Sequence, residues 1–111
     1  IEDKAYQAVY RRQCSGPSST FSFVLNVAKS EAFCLINNLS IFKSAVSLGG
    51  TESLVCHPSS TTHSGVSAQL RDKFGVTEGL IRLSIGLEHP DDLIADLDNA
   101  FSATFKDKKT A

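Results

Sequence analysis

The sequence lacks any apolar run long enough to cross a membrane: no stretch of 18 apolar residues occurs among its 111 positions. Its first residues, IEDKAYQAVYRRQ, carry acids and bases where a secretory signal needs an apolar centre. The chain also begins without methionine, so we expect it to be part of a longer or processed protein. These features predict a chain with no membrane partner.

An excess of charge of one sign is also missing. Eleven Lys and Arg residues against twelve Asp and Glu residues give a formal net charge of −1. A duplex-binding domain usually carries a basic excess, so nucleic acid is not an expected partner. The three cysteines (Cys14, Cys34 and Cys56) are odd in number and widely spaced, which fits neither a CxxC metal pair nor a disulfide framework. Reduced thiols in a cytoplasmic protein are the simplest interpretation.

What is present is the composition of an ordinary globular protein, 41% hydrophobic and 21% charged. A length of 111 residues corresponds to one domain, and no repeat or linker interrupts it, so we interpret residues 1–111 as a single domain. Alternating apolar residues predict four strands, at 20–27, 44–48, 52–56 and 79–88. Helical spacing predicts four helices: residues 3–13, a segment capped by Ser30, residues 67–74 ended by Gly75, and a last helix from Pro90 to Lys106, Lys108 and Lys109.

The spacing of these elements determines the fold class that we expect. Some of the strands are too close in sequence for the long crossover that parallel strands require. We therefore predict an α+β fold, with a small mixed or antiparallel sheet of about four strands and helices packed on one side.

Arg82 is the most informative single residue. It lies in the middle of the last predicted strand, on the face opposite the apolar set. A guanidinium keeps its charge, so a sheet that holds one among apolar neighbours must provide an anion. Its planar fork suits a carboxylate or a phosphate. The alternatives are an internal pair with Glu52, Asp72 or Glu78, or an arginine that faces solvent on an edge strand.

The hydroxyl-rich stretch AVSLGGTESLVCHPSSTTHSG (45–65) matches no catalytic or metal motif from its spacing alone. His57 and His63 are six residues apart, and no thiol or carboxylate completes a tetrahedral set, so no metal site is predicted. The stretch has no G-x-S-x-G elbow for a serine nucleophile. Gly49-Gly50 lacks the spacing and the lysine of a phosphate-binding loop. The hydroxyls are therefore expected to bind irregular backbone near Arg82.

Three motifs in order, SLGG at 47–50, HPSSTTH at 57–63 and GLIRLSIGLE at 79–88, resemble the C-terminal domain of the pyridoxal-phosphate (PLP) enzymes of cysteine and methionine metabolism. That trans-sulfuration family includes cystathionine γ-synthase, the cystathionine lyases, methionine γ-lyase and the homoserine-ester sulfhydrylases. The resemblance is strong from Ser44 onward. It implies the small domain of a fold-type I PLP enzyme that assembles as a homotetramer.

The resemblance also implies roles for individual residues. In the family the arginine of the RLS motif, here Arg82, binds the substrate α-carboxylate, and the serine of SLGG, here Ser47, lies beside it, with Leu48 in the same pocket. The threonine of the HPSSTTH motif, here Thr62, supports that pocket. Val46 precedes SLGG and offers nothing to the distal ammonium of cystathionine. A neutral thioether or ester substrate, as in methionine γ-lyase-like members, is therefore favoured.

The family's Schiff-base lysine and most of its cofactor ligands belong to a large domain that this sequence does not match. We therefore expect no catalytic residue in the chain and no PLP bound to it in isolation. Lyase, γ-synthase or sulfhydrylase activity is expected only of a longer parent protein, and the activity of the isolated chain is left open. The alternative is a protein with no catalytic function: a stand-alone anion-binding or protein-interaction module that keeps this fold.

Overall fold

The computed structural model of the chain describes residues 3–105. Its elements in chain order are α1 (Lys4–Gln13), β1 (Thr20–Val24), α2 (Lys29–Asn37), β2 (Lys43–Ser44), β3 (Leu54–Cys56), α3 (Ala68–Lys73), β4 (Leu80–Ser84) and α4 (Pro90–Thr104), with a short 3-10 helix, Pro58–Ser60, after β3. The lysines predicted to end the last helix, Lys106, Lys108 and Lys109, lie outside the described residues. Within residues 3–105, no helix has the length and apolar character that a membrane span requires.

The four strands form one mixed sheet in the order β1-β4-β3-β2. β4 runs antiparallel to both β1 and β3, whereas β2 runs parallel to β3. β4 is therefore a central strand, and the alternative that Arg82 lies on an edge strand is wrong. Arg82 lies opposite Ser22 of β1 and Cys56 of β3. Residues directly opposite each other share a face of the sheet, so these three side chains lie on one face.

The other face of the sheet packs against two helices. The buried apolar cluster joins strand residues to residues of α2 and α4: Ala32, Leu35, Ile36, Val55, Ile81, Leu83, Leu93 and Ala100. At its margin Phe23 of β1 meets Phe101 of α4, with the ring centroids 6.1 Å apart. The predicted α+β class, with a mixed sheet and helices on one side, is confirmed. Both α2 and α4 therefore lie on the face of the sheet opposite Arg82.

Local signals explain where most of the helices begin and end. The Asp3 side chain accepts the backbone N–H groups of Ala5 and Tyr6 and so caps α1. Pro90 begins α4, and two aspartates follow it at the positive end of the helix dipole. Gly75 has a φ of 81°, the left-handed conformation predicted for the residue after α3.

The predicted cap at Ser30 is wrong. α2 is capped two residues earlier, at Ala28, whose carbonyl accepts the N–H groups of Glu31 (3.1 Å) and Ala32 (3.2 Å). The cap has no side-chain hydrogen bond, and Ser30 lies inside the first turn. Backbone bonds alone begin this helix, and they leave no signal in the pattern of residue types.

The strands are shorter than the sequence predicted, for a tertiary reason. The prediction of a strand over 44–48 is wrong, because β2 pairs only at Lys43 and Ser44. The Ala45 N–H still reaches the Val55 carbonyl at 3.1 Å, but the carbonyls of the next two residues bond to a side chain instead. β3 likewise begins at Leu54 rather than at residue 52. The segment between the two strands is thus held by side chains of other elements.

Candidate functional site

Arg82 is half-buried as a residue and lies on the face of the sheet opposite α2 and α4. Its Nη2 donates to the carbonyl oxygens of Val46 (2.8 Å) and Ser47 (3.2 Å). No carboxylate of residues 3–105 lies within ion-pair distance of it, so the predicted alternative of an internal pair is wrong. Glu52 instead pairs with Lys43 at 3.5 Å. Within the same residues, the Nε and Nη1 donors have no hydrogen-bond partner, so the group keeps both a charge and donors for an anion.

A second side chain of β4 holds the same loop. Ser84 lies two residues after Arg82, on the same face, and its hydroxyl oxygen accepts the Gly49 N–H at 2.9 Å. Ser84 is 1% exposed. Gly49 has a φ of 74°, a conformation that favours glycine, and here it turns the chain after residues 46–48. Sequence reasoning missed Ser84, although a serine two positions from Arg82 in a strand of buried residues was a usable signal.

The far end of this segment is also fixed by the residues after β4. Glu88 accepts the backbone N–H of Ser53 at 3.0 Å and its hydroxyl at 2.7 Å. The Ser53 hydroxyl oxygen in turn accepts the Gly86 N–H at 2.8 Å. The backbone and side-chain bonds from Ser53 hold the pKa of Glu88 below its ordinary value. The side chains of Arg82, Ser84 and Glu88 in the GLIRLSIGLE motif therefore bind the segment 46–53, which includes SLGG, and form one structural unit with it.

Four of the five predicted site residues come together in this unit. Val46 and Ser47 give their carbonyls to Arg82, and Leu48 lies between them and Gly49. The side chains of Val46 and Leu48 are 56% and 55% exposed. The Ser47 side chain is exposed as well, and its hydroxyl has no hydrogen-bond partner among residues 3–105. The loop thus presents a hydroxyl and two apolar side chains beside an arginine.

Thr62 lies outside this hydrogen-bonded unit. It is exposed, and its hydroxyl contacts the Nδ1 of His63 at 2.8 Å. Within the described part of the chain, no hydrogen bond joins Thr62 to Arg82 or to Ser47. Its supporting role stays a prediction.

The other hydroxyls of the 57–64 segment bind backbone only in part: Ser60 donates to the His57 carbonyl at 3.2 Å, whereas Ser59 donates to the Glu78 carboxylate at 3.2 Å. His57 is buried, with its Nε2 2.6 Å from the Glu78 carbonyl and its Nδ1 2.8 Å from the Ser60 hydroxyl. Thr61 donates its hydroxyl to the His57 carbonyl at 2.7 Å. Over residues 3–105 no group of three His, Cys, Asp or Glu side chains is arranged to hold a metal ion. The histidine here organises a turn.

Three surface grooves of the described residues lie away from Arg82. One of about 510 Å³ lies between α1 and β1 and is lined by Tyr10 and Phe21 among others. Two others lie along α4. None of the three is lined by Arg82, Ser47 or Thr62, so these grooves are separate from the unit that Arg82 forms with the 46–49 loop.

The lysines of the described residues do not complete a PLP site around Arg82. Lys43 is paired with Glu52 and 67% exposed. Lys29 lies over the ring of Phe33, 5.4 Å from its centroid. The other described lysines, Lys4 and Lys73, belong to α1 and α3, which contribute no buried residue. These residues alone do not fit the cofactor, and no step through it follows from them.

Comparisons with known proteins agree on a single family. The profile of the family described as "Cys/Met metabolism PLP-dependent enzyme" matches residues 1–102. The L-methionine γ-lyase of Pseudomonas putida is 44% identical over 94 residues, which cover 85% of this chain and 24% of that enzyme. Cystathionine γ-synthase of Xanthomonas oryzae pv. oryzae, solved in complex with cystathionine, superposes with a TM-score of 0.84 at 36% identity, over 96% of this chain and 27% of that one.

A third relative carries the cofactor. A solved Campylobacter jejuni chain, described as an O-acetylhomoserine (thiol)-lyase with a pyridoxyl-lysine monophosphate residue, gives a TM-score of 0.82 at 38% identity, over 92% of this chain and 24% of that one. The chain therefore spans about a quarter of the length of the relatives that it matches.

Proposed function

Because the chain belongs to the Cys/Met metabolism family of PLP-dependent enzymes, we propose that it provides the substrate α-carboxylate site of such an enzyme. The observation that carries this proposal is the state of Arg82. It is a half-buried residue on a central strand, and its guanidinium has unused donors and no carboxylate partner among residues 3–105. A guanidinium keeps its charge, so its unused donors can bind an anion, and an amino acid supplies one.

The role of the chain in the reaction is to bind and orient. The Arg82 donors that are not used by the 46–49 loop hold the carboxylate, and the Ser47 hydroxyl beside them gives a further hydrogen bond. Holding the carboxylate limits the orientations that the Cα substituents can take, which is one way in which positioning contributes to a reaction. PLP, when bound to the parent enzyme, supplies the electron sink.

The side chains around the site favour a neutral substrate. Val46 and Leu48 are more than half exposed at the edge of the loop and carry no charge or hydrogen-bonding group. A thioether or ester side chain can lie against them without loss, whereas a distal ammonium would gain nothing. The similarity to L-methionine γ-lyase supports the same choice. The parent enzyme is thus proposed to be a lyase or sulfhydrylase, of which the chain forms the C-terminal domain in a cytoplasmic homotetramer.

The test uses the full-length protein that carries this chain, purified with PLP. Arg82→Ala removes two charge-assisted hydrogen bonds to the carboxylate, each worth about 1.5 kcal/mol or more. We expect kcat/KM for L-methionine to fall by at least about 100-fold, which corresponds to about 3 kcal/mol. Arg82→Lys keeps the charge but not the fork and should recover only part of the loss. Arg12→Ala, on the exposed surface of α1, is the matched control and should behave as wild type.

Two outcomes would contradict the proposal. An unchanged kcat/KM in Arg82→Ala would show that the substrate carboxylate binds elsewhere. A full-length protein that binds neither PLP nor amino acids, but binds simple carboxylates by calorimetry, would instead support the stand-alone anion-binding module.

A further inference from the structure

The 46–49 loop is held in place by β4. Of the three hydrogen bonds that connect it to the strand, two come from Arg82 to the carbonyls of residues 46 and 47. The third runs from the Gly49 N–H to the Ser84 hydroxyl. If Arg82 turns toward a substrate, its bonds to the loop can change. The bond to Ser84 does not depend on the arginine.

The burial and the hydrogen bond of Ser84 indicate that its side chain holds the backbone of Gly49 in place. It is 1% exposed, in the central strand of the sheet. A hydroxyl removed from water to that extent needs a hydrogen-bond partner, and among residues 3–105 the partner of Ser84 is the Gly49 N–H at 2.9 Å. An alanine of similar size would fill most of the same space and leave that N–H without its acceptor.

The bond determines the position of Ser47. Gly49 adopts a φ of 74°, so the chain turns there. Because the hydrogen bond to Ser84 fixes the orientation of the Gly49 N–H, it also restricts the backbone of residues 46–48, which lead into the turn. Ser47 lies only two residues before that point and has no side-chain hydrogen bond within residues 3–105 to hold it. Without Ser84 the loop would be tied to β4 only through Arg82, the residue that also binds the carboxylate.

We propose that Ser84 is a positioning residue of the carboxylate site: its buried hydroxyl anchors Gly49 and thereby keeps Ser47 and Val46 beside Arg82 when a carboxylate binds. The inference rests on the proposed function of Arg82 and deepens it. In this proposal Ser84 does not touch the substrate but limits the conformations of the loop that does. Its loss should therefore weaken substrate binding and leave the turnover of bound substrate nearly unchanged.

The first measurement needs no catalysis. Hydrogen–deuterium exchange of the full-length protein, followed by mass spectrometry with fragmentation across 45–50, reports the Gly49 amide. Ser84→Ala should speed its exchange by about tenfold or more, because a native hydrogen bond protects it. Ser84→Cys keeps the volume but is a weak acceptor, and should give the same increase. In both variants the amides of β4 itself should keep their wild-type exchange.

The second measurement separates binding from turnover. In Ser84→Ala and Ser84→Cys we expect KM for L-methionine to rise by about tenfold while kcat stays within about threefold of wild type. If Ser84→Cys matches wild type in both measurements and only Ser84→Ala differs, volume rather than the hydrogen bond matters, and the inference is overturned. The same holds if neither variant changes the exchange of Gly49 or the KM.

The two proposals fail in different ways. If Arg82→Ala leaves kcat/KM unchanged, the carboxylate site is wrong, whatever Ser84 does to the loop. If Arg82→Ala lowers kcat/KM as expected but both Ser84 variants behave as wild type, the carboxylate site stands and the positioning role of Ser84 is wrong.

Discussion

Asp96 of α4 should contribute more to stability than any other carboxylate named so far. It is 6% exposed, and it accepts three consecutive backbone N–H groups: Ser40 at 2.7 Å, Ile41 at 2.8 Å and Phe42 at 3.2 Å. These residues join α2 to β2 and so begin the segment that leads to the 46–49 loop. One carboxylate therefore serves as the hydrogen-bond acceptor for a connection that has no regular structure of its own.

The expected loss in the free energy of unfolding depends on whether each N–H group can find another acceptor once the carboxylate is removed. In Asp96→Ala, Ser40 is exposed and its N–H can bond to water, but Phe42 is buried and Ile41 half-buried. Leaving a buried donor unsatisfied costs about 1–3 kcal/mol, so two such donors predict a loss of about 3 kcal/mol in the free energy of unfolding. Asp96→Asn keeps one acceptor oxygen and turns an NH₂ group toward the donors, which predicts a loss of about 2 kcal/mol.

Urea denaturation of the chain, followed by far-ultraviolet circular dichroism, measures both losses. The matched control is Asp98→Asn, which removes a carboxylate from an exposed position two residues further along the same helix. It should stay within about 0.5 kcal/mol of wild type. If the Asp96 variants were no less stable than Asp98→Asn, the three short bonds would not stabilise the connection, and the reasoning from geometry to energy would be wrong.

Three further predictions concern the contacts around the site. Because folding lowers the pKa of Glu88, its ionised form stabilises the fold at pH values above the ordinary glutamate pKa of about 4.3, and this stabilisation is lost as the pH falls through the lowered folded value. Glu88→Gln should therefore be less stable than wild type at pH 7 and approach it in acid; a difference that stayed constant across a urea titration series would contradict this. Gly86→Ala should destabilise the chain by about 2 kcal/mol or more, because a Cβ there would overlap the Thr51 carbonyl oxygen and lie 2.6 Å from the Glu52 carbonyl carbon and 2.7 Å from the Ser53 nitrogen. Gly50→Ala, where nothing lies within 4 Å, is the control for the loss of a glycine, and equal effects would refute the overlap. Val46→Glu in the full-length enzyme should raise activity on cystathionine relative to methionine, because it places a carboxylate where the distal ammonium would lie; an unchanged ratio of the two kcat/KM values would remove the basis for assigning substrate choice to this position.

The parts of the fold that sequence predicted are those that depend on local periodicity. Ile81 and Leu83 alternate with polar positions, and they lie on the buried face of β4. Pro90 and the two aspartates after it marked the start of α4 correctly. The class followed from the same pattern, because a sheet with one apolar face has to bury it against amphipathic helices. Alternation also placed Arg82 on the opposite face, the basis of its predicted role.

The parts that sequence could not predict are held by contacts between distant residues. The bonds from the 46–49 loop to Arg82 and Ser84 span 35 or 36 positions, and so does the bond from Ser53 to Glu88. These bonds end β2 and delay the start of β3, because they take backbone groups that a longer ladder would have used. Residue propensity carries no information about such partners.

The tertiary bonds also show what an arginine provides at this position that a lysine would not. Arg82 has five N–H donors, of which the two on Nη2 hold the Val46 and Ser47 carbonyls while those on Nε and Nη1 remain for a ligand. A lysine has three donors on one nitrogen and no fixed plane, so it could neutralise a carboxylate or hold the loop but could not hold both at defined angles. A single side chain, that of Arg82, therefore both provides the positive charge and holds the adjacent 46–49 loop. Arg82→Lys, which preserves the charge alone, would keep the attraction for an anion but release the carbonyls of Val46 and Ser47.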